Sequence, residues 1–522
     1  MATAKRIRFV CKSLLWFVIL GFSQYLVAQK TNLSPIVSLK QISANEPSLA
    51  IHPSNPAVQV IAANVDVYWV SKDSGYTWEQ KKISSTFGVY GDPVLQFSTS
   101  GALYFAHLSK TSGKKHPEMF DRIVLQKAIN PESGFNNGIG VGYNQGKMQD
   151  KPWIAIQSGE THDKDMLLLS WTEFDTYKSK KTEDSARIRV AVSTNGGTSF
   201  EFIQTISDHA GSCMDNSATP EGATPVILSD GSMHVVWSMN ENLYYDFSID
   251  SGRTWHKDKI LESQVGGWSI QKPGIMRSNA MPFLVKGKKD ELILVWADSR
   301  NGAHQVFLKT SKNKGKSWSK TQQISKTKTR NKDSLDCFMP FVKVNQQTGE
   351  LMVLYYALNL QNKDFVYVMA YSSIHKHSLV CPLPFLSAGE KVFFGDYIAL
   401  DASKKSKRAV WTTHQKGEVF LQTSSLYKLG RNKHDKLVVD FRKDKKELFV
   451  YLENKKADKF KVRVTETETD SLSNIAQVTD YSSSPFKGKS FVYSIPKTDS
   501  KKTIVVECYY RRKRIIKEII VD

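Results

Sequence analysis

Cysteine is scarce in this chain, and beyond residue 28 there is no long hydrophobic run. Four of its five cysteines lie past that point (Cys213, Cys337, Cys381 and Cys508), and none belongs to a Cys-x-x-Cys pair or a Cys/His cluster. This distribution excludes a dense disulfide scaffold and does not indicate a zinc site. A bilayer span needs roughly 20 apolar residues, so no membrane span is predicted beyond residue 28. No motif specifies a metal ion or an organic cofactor, and we predict none.

The first 28 residues are basic and then apolar, which is the layout of a secretory signal peptide. Lys5, Arg6, Arg8 and Lys12 precede the apolar run S-L-L-W-F-V-I-L-G-F, and the small residue Ala28 ends the segment. The alternative is a single transmembrane anchor, but the apolar run has only about 10 residues where a span needs roughly 20. We therefore predict a signal peptide at 1–28 and a secreted or cell-surface mature protein.

Acidic residues are few relative to basic ones. The chain has 72 Lys and Arg against 51 Asp and Glu, a net charge of +21, and loss of the four leader charges leaves 21 − 4 = +17. A basic surface attracts polyanions, and a secreted protein meets acidic glycans more often than nucleic acid. The alternative is a solvated lysine-rich surface, which the scatter of the lysines favours. We predict an acidic glycan or polysaccharide as partner and no nucleic acid.

One eight-residue pattern occurs four times, at 71–78 (S-K-D-S-G-Y-T-W), 193–200 (S-T-N-G-G-T-S-F), 248–255 (S-I-D-S-G-R-T-W) and 311–318 (S-K-N-K-G-K-S-W). A β-hairpin turn needs a residue with positive φ and a local acceptor for its free amides. Glycine meets the first need at Gly75, Gly197, Gly252 and Gly315. An Asx side chain meets the second at Asp73, Asn195, Asp250 and Asn313, and an aromatic residue closes the pattern at Trp78, Phe200, Trp255 and Trp318.

The exchange of Asp for Asn within the pattern indicates a role in folding. Asn195 and Asn313 keep the acceptor oxygen but lose the charge, which a turn tolerates and a catalytic carboxylate does not. The octet resembles the Asp box, or BNR repeat, S-x-D-x-G-x-T-W, of the sialidase-like β-propellers. In that family the box is the hairpin between the third and fourth strands of a blade, away from the active site. The resemblance therefore implies that these residues are structural.

A second repeat indicates the number of blades. A short hydrophobic strand that opens with Pro occurs at Pro47, Pro93, Pro152, Pro225, Pro282 and Pro340, and a seventh has Tyr397 in this place. Their spacing of 46 to 73 residues suits four-stranded blades. We predict an all-β chain with a seven-bladed propeller over 31–428, in which the segment 34–43 supplies the outer strand of the last blade. A six-bladed propeller is the alternative; in that case the repeat at 91–128, which has no box, would not form a blade.

The pattern changes near residue 436. Alternating strands such as K-E-L-F-V-Y-L and T-I-V-V-E-C-Y-Y follow, without boxes or Trp. They predict a separate small β-sandwich-like domain over 436–522.

The resemblance also implies an active site on the face opposite the boxes. Sialidase-like enzymes hold the carboxylate of an acidic sugar with three arginines, and they use a Tyr nucleophile activated by Glu, with Asp as acid/base. Guanidinium groups fit carboxylates bidentately, and a phenol needs a neighbouring base to become nucleophilic. The family's early arginine is missing, since the first blade reads N-E-P-S-L at 45–49. The candidates are Arg277 and Arg300 for substrate binding, and Tyr397, Asp396, Asp92 and Glu46 for catalysis.

Each candidate also has a structural interpretation. Asp92, Asp150 and Asp396 recur near the starts of blades and could form a ring of strand caps. Asp298 and Arg300, two residues apart, can pair with each other. Tyr397 breaks the proline rule without an evident folding reason, which favours a functional role.

The sequence thus leads to three hypotheses. The first is a secreted, sialidase-like glycoside hydrolase that acts on acidic glycans. The second is a non-catalytic propeller that binds a glycan or a protein. The third is a polysaccharide lyase, for which His304, His414 or His107 could serve as base.

Overall fold

The computed structural model describes residues 37–39, most of 44–426, and the strands of 436–521. Within 44–426 the undescribed positions are 76, 111–119, 329–331, 362–364, 375, 381–384, 387–392 and 416–417. The predicted signal peptide lies outside the described residues. Among those that are described, no helix is long and apolar enough to cross a membrane.

Seven antiparallel sheets follow one another along the chain as the blades of a β-propeller. The strand β1 (Val37–Leu39) precedes the first blade. Blade 1 contains β2 (Ser48–Ile51), β3 (Gln59–Ala63), β4 (Val67–Ser71) and β5 (Glu79–Lys82). Blade 2 contains β6 (Gly91–Phe97), β7 (Leu103–Leu108), β8 (Ile123–Ala128) and β9 (Ile139–Val141). Blade 3 contains β10 (Met148–Gln157), a 3₁₀ turn (His162–Lys164), β11 (Met166–Phe174), β12 (Ser185–Ser193), β13 (Glu201–Thr205) and the short β14 (Gly211–Ser212).

The remaining blades repeat this order, with one inserted hairpin. Blade 4 contains β15 (Glu221–Ile227), β16 (Met233–Met239), β17 (Asn242–Ser248) and β18 (Lys259–Ser263), and the hairpin β19 (Ser269–Lys272) and β20 (Ile275–Asn279) follows it. Blade 5 contains β21 (Phe283–Lys286), β22 (Leu292–Asn301), β23 (Ala303–Ser311) and β24 (Gln322–Gln323). Blade 6 contains β25 (Leu335–Val344), β26 (Leu351–Asn359), β27 (Phe365–Ser372), β28 (Lys376–Leu379) and β29 (Phe385–Leu386). Blade 7 contains β30 (Ala399–Ala402), β31 (Lys407–Gln415) and β32 (Glu418–Ser425).

The ring is closed by the amino-terminal strand. β1 pairs antiparallel with β32, with Val37 opposite Thr423 and Leu39 opposite Leu421, so it is the fourth strand of blade 7. The first strands of successive blades contact one another in the order β2, β6, β10, β15, β21, β25 and β30, and β30 contacts β2. This cycle confirms the seven-bladed prediction and the closing strand, and the repeat at 91–128 forms a blade of its own. Closure gives blade 7 its fourth strand.

The four octets are turns between the third and fourth strands of blades 1, 3, 4 and 5. In the first copy the Gly75 amide donates to Ser71 Oγ at 2.8 Å, and the Thr77 amide donates to Asp73 Oδ1 at 2.9 Å. In the Asn copy of blade 3 the corresponding bonds, Gly197 N to Ser193 Oγ and Ser199 N to Asn195 Oδ1, are both 3.0 Å. The amide oxygen replaces the carboxylate oxygen without loss of a bond, as the turn hypothesis requires.

The inner strands carry a repeated bulge at their axial ends. In β6, β10, β15 and β25 two residues lack strand partners, and the first of them has positive φ: Asp92 at 53°, Lys151 at 51°, Gly222 at 70° and Met339 at 46°. In blade 1, Glu46, at φ 51°, directly precedes Pro47 and β2. A bulge redirects a side chain, and positive φ is uncommon for residues other than Gly. Three of these positions carry charged side chains, at one end of the propeller axis.

Trp153 fills the centre of the ring. It belongs to blade 3, and its ring centroid lies 5.0 Å from that of Phe283 in blade 5 and 5.4 Å from that of Tyr397 at the start of blade 7. A third aromatic neighbour, Phe341 of blade 6, lies at 6.1 Å. The indole therefore reaches across the axis and forms an apolar floor beneath the charged positions.

Beyond the propeller, strands pair in two groups. One sheet has the order β33 (Lys436–Arg442), β34 (Glu447–Glu453) and β38 (Ser490–Ser494). The other has the order β36 (Gln477–Asp480), β35 (Lys459–Glu468), β39 (Lys502–Tyr510) and β40 (Lys513–Val521), with β37 (Phe486–Lys487) paired to β35. The all-β prediction holds for this region as well.

Candidate functional site

Five of the six predicted site residues meet at the axis, four of them through the contacts of Tyr397, Asp92, Glu46 and Asp396 and the fifth, Arg277, through an ion pair described below. The Tyr397 hydroxyl lies 3.5 Å from Asp92 Oδ2, a long hydrogen bond. The carboxyl groups of Asp92 and Glu46 adjoin, since each perturbs the pKa of the other. The Asp396 amide donates to Glu46 Oε1 at 2.9 Å. Strands from blades 1, 2 and 7, distant in sequence, thus supply one continuous group of side chains.

Asn64 holds two of these carboxyl groups in position. Its Nδ2 donates to Glu46 Oε2, and its Oδ1 accepts a bond of 2.8 Å from the Asp92 amide. Asn64 follows β3, the second strand of blade 1. One amide side chain therefore fixes the bulge residue of blade 2 and the equivalent residue of blade 1 relative to each other.

Two cations lie within the group, and both are bound to carboxylates of the protein. Lys151 Nζ lies 3.2 Å from Asp150, 3.7 Å from Asp396 and 3.9 Å from Glu221. Arg277 of the inserted hairpin forms ion pairs of 2.6 Å with Asp396 and 2.8 Å with Asp215. We call these charged residues the axial cluster; it comprises Glu46, Asp92, Asp150, Lys151, Asp215, Glu221, Arg277 and Asp396.

Several carboxyl groups of the axial cluster have raised pKa values, which favour their protonated forms. Burial raises the pKa of Glu46 to about 7, and the neighbouring charge of Asp396 adds to the effect. Burial likewise raises the pKa of Glu221 to about 8. The pKa of Asp92 is raised well above its usual range by burial, then by Glu46 and Asp150. Such carboxyl groups can hold a proton near neutral pH and can act as acids.

The other groups are shifted in the directions that their partners impose. Burial opposes the charge on Lys151, but Asp150 and Glu221 outweigh it and raise the lysine pKa. Lys151 and Arg277 outweigh burial at Asp215 and lower its pKa. Burial and then Asp92 raise the pKa of the Tyr397 phenol well above 10. This phenol can ionise only while it transfers its proton to an acceptor.

The structure does not bring Arg300 to the axial cluster. Its Nη2 donates to Asp298 Oδ2 at 2.6 Å and to the Ser263 carbonyl at 2.7 Å, and its guanidinium lies over the Phe307 ring. Among the described residues its carboxylate partners are Asp298 and Glu262, and neither belongs to the axial cluster. The alternative interpretation, in which Asp298 and Arg300 pair with each other, describes the observed geometry.

The histidines proposed for a lyase are scattered. His107 is buried and lies within hydrogen-bonding distance of Gln126 and the Leu108 carbonyl. His304 lies beside Lys272 and Asp336, with Nδ1 at 2.8 Å from Lys272 Nζ. His414 is in β31, where burial lowers its pKa. None of the three forms a hydrogen bond or ion pair with the axial cluster in the described part of the chain, so no histidine base joins it there.

Sequence reasoning missed Lys151, Asp215, Glu221 and Tyr177. Lys151 could have been found, because it precedes a repeated Pro as Glu46 and Asp92 do. Asp215 gave no signal; it lies in a connection and accepts a 2.6 Å hydrogen bond from Tyr177. Within the described residues, no group of three or more His, Cys, Asp or Glu side chains has the arrangement of a metal site.

Fold and site together define an all-β, seven-bladed propeller with an acid-rich cluster on its axis. No protein-family model matches the chain, and no curated protein matches it. Solved structures similar to it include the NanB sialidase from Streptococcus pneumoniae, at 10% identity and TM-score 0.41, covering 71% of this chain and 83% of that one. Others are an α-L-arabinanase from Penicillium chrysogenum (14%, TM-score 0.40, 66% and 98%) and the Trypanosoma rangeli sialidase (11%, TM-score 0.37, 93% and 89%). At these values the activity has to be argued from the site itself.

Proposed function

We propose that the axial cluster binds a glycan and hydrolyses a glycosidic bond. The observation that carries the proposal is the contact of 3.5 Å between the Tyr397 hydroxyl and Asp92, beside Glu46. A nucleophile next to a proton acceptor, together with an acid of raised pKa, is the minimum set for displacement at an anomeric carbon.

Asp92, Tyr397 and Glu46 can account for every proton transfer that the reaction needs. Protonated Asp92, which is only partly buried, donates to the glycosidic oxygen as its bond to the anomeric carbon breaks. The carboxylate formed then accepts the phenol proton as the Tyr397 oxygen bonds to that carbon. In the second step Asp92 gives this proton to the Tyr397 oxygen as the phenol leaves, and the carboxylate formed accepts a proton from the water that attacks the anomeric carbon. Burial, and then the neighbouring Glu46, keep the pKa of Asp92 high enough for the acid role.

Trp153 suits a sugar ligand. Sugars present C–H faces that pack on aromatic rings while their hydroxyl groups need polar partners. The partly exposed Trp153 ring meets Tyr397 edge-on at 90°. A sugar above it would contact an aromatic floor and carboxyl groups at its rim.

A non-catalytic glycan-binding propeller is the second candidate. It is favoured by the deep burial of Glu46, Asp396, Asp150 and Lys151, each between 3% and 5% exposed, because a closed ion-pair network can be purely structural.

We also propose that the chain is secreted after removal of residues 1–28, and that its domains are the propeller at 31–428 and the β-domain at 436–522. The basic leader supports the first of these, and the change of sequence pattern near 436 supports the second.

The proposal is tested with the full mature chain and a panel of aryl glycosides that release a coloured phenol. We expect turnover of at least one glycoside, with D92N and Y397F lowering kcat by about 100-fold or more. D163N and Y143F are matched controls, because Asp163 and Tyr143 are exposed and lie outside the cluster. Binding of glycosides without turnover would contradict the hydrolase proposal and support the binding module. Equal rates in Y397F and the wild type would show that Tyr397 is not the nucleophile.

A further inference from the structure

The charge inventory of the axial cluster is unusual for a site expected to take an acidic sugar. Six carboxyl groups surround two cations, and the carboxyl groups are Glu46, Asp92, Asp150, Asp215, Glu221 and Asp396. The cations are Lys151 and Arg277, each of which already faces two or more of these carboxyl groups. Acids therefore exceed bases at the place where a ligand would bind.

Both cations already have carboxylate partners. The side chain of Lys151 is 4% exposed and that of Asp396 is 3% exposed. An incoming sugar carboxylate would have to compete with Asp396 and Asp215 for Arg277, whose side chain is 24% exposed, and displacing either partner would leave a buried carboxylate unpaired. Removing one partner from a buried ion pair is strongly unfavourable.

A further cation at the outer edge does not alter this balance. Lys178 lies 5.0 Å above the Tyr177 ring and is exposed. Its charge is screened by water, and an exposed ion pair contributes little.

Two carboxyl oxygens of the cluster lack hydrogen-bond donors, and one nitrogen, Arg277 Nη2, makes no hydrogen bond although it lies 2.6 Å from Asp396. Glu221 is fully buried, and its Oε1 has no hydrogen-bond partner, although Lys151 Nζ lies 3.9 Å away. Asp215 Oδ1 is also buried without a donor. Buried acceptors favour a ligand that brings donors, such as hydroxyl or ammonium groups, and disfavour one that brings more acceptors.

We propose that the axial cluster takes a sugar residue without negative charge, and prefers an amino sugar with a free ammonium group to a neutral sugar. This inference rests on the proposed glycan-binding function and specifies its substrate class. It departs from the acidic glycan that the family resemblance implies. The basic charge of the whole chain then belongs to its outer surface, where it can attract a polymer independently of the residue that enters the site.

The test compares binding of four methyl glycosides to the full mature chain by calorimetry at pH 6.5: glucosaminide, glucoside, glucuronide and sialoside. We expect the glucosaminide to bind most tightly, the glucoside next, and the two anionic glycosides at least tenfold more weakly than the glucosaminide. Equal or tighter binding of an anionic glycoside overturns the inference, as does absence of binding by all four.

The variant D215N gives an independent arm. It removes one of the two carboxylates that neutralise Arg277, so we expect affinity for the glucuronide to rise about tenfold and affinity for the glucosaminide to fall. The control D163N removes an exposed carboxylate and should change neither affinity, which separates the cluster from binding at the lysine-rich surface. An unchanged order of affinities in D215N contradicts the inference. Hydrolysis of anionic aryl glycosides only would contradict the inference about the substrate class but not the hydrolase proposal. Binding in the expected order of affinities, without hydrolysis of any glycoside, would contradict only the hydrolase proposal.

Discussion

Arg277 and Asp396 form an ion pair of 2.6 Å that joins the inserted hairpin to the last blade. Nearby, Asn279 of the same hairpin donates to the Asp396 carbonyl at 2.7 Å. The hairpin is thus attached to the axial cluster at two points. Because β19 and β20 belong to no blade, this attachment has to be made by side chains rather than by sheet hydrogen bonds.

Arg277→Met should destabilise the propeller. Asp215 and Asp396 would each lose the guanidinium while remaining buried, which typically costs about 3–5 kcal/mol in the free energy of unfolding. Denaturant unfolding of the full chain measures this loss. The control Arg253→Met removes an exposed arginine of a box and should change the free energy by less than about 0.5 kcal/mol. Equal stability of the two variants would show that Arg277 is not a structural ion-pair partner.

Gly315→Ala should cost more stability than Gly302→Ala. Both glycines have positive φ, 79° and 93°, a conformation that costs a residue with a side chain about 1–2 kcal/mol. A Cβ at Gly315 would collide with Tyr245 of blade 4, whereas a Cβ at Gly302 meets no atom within 4 Å. Overpacking adds about 1–3 kcal/mol to the cost at Gly315. Thermal unfolding midpoints compare the two, and equal midpoints would contradict the packing of the box against the neighbouring blade.

Stability should fall as pH rises from about 5 to 8. The pKa values of Glu46 and Glu221 are raised from 4.5 to about 7 and about 8, so in this window the folded protein binds more protons than the unfolded chain. Linkage then requires the free energy of unfolding to decrease with pH. Glu221→Gln should flatten the decrease, because its amide does not titrate. Glu160→Gln, at an exposed position, should leave the slope unchanged; a slope unaffected by both variants would refute the shift at Glu221.

The alkaline limb of the activity profile should move to lower pH in Glu46→Gln. Asp92 must be protonated to act as the acid, and burial and then the charge of Glu46 raise its pKa. Removal of that charge lowers the pKa of Asp92, so kcat/KM falls at lower pH than in the wild type. The pH dependence of kcat/KM with the best aryl glycoside measures the shift, with Glu160→Gln as control. A limb displaced to higher pH would contradict the coupling of the two carboxyl groups.

Several features could be predicted from the sequence because their causes are local. The Asp-box turn is complete within eight residues, and its hydrogen bonds to Ser71 and Asp73 need nothing from the rest of the chain. The repeated prolines mark the inner strands for a similar reason, since Pro fixes its own φ and fits at the start of a strand. The catalytic candidates at Glu46, Asp92 and Asp396 were reached by counting these repeats, and the structure brings them together.

What the sequence by itself determined is the blade: its turns, its strand order and the residues at its axial end. Tertiary structure alone decided how the charges pair. Closure of the ring places Asp215, Glu221 and Lys151 beside side chains from distant parts of the chain. The reason is physical: a turn is stabilised by neighbours in the chain, whereas the field at the axis is the sum of charges that only a closed ring brings within a few ångströms of one another.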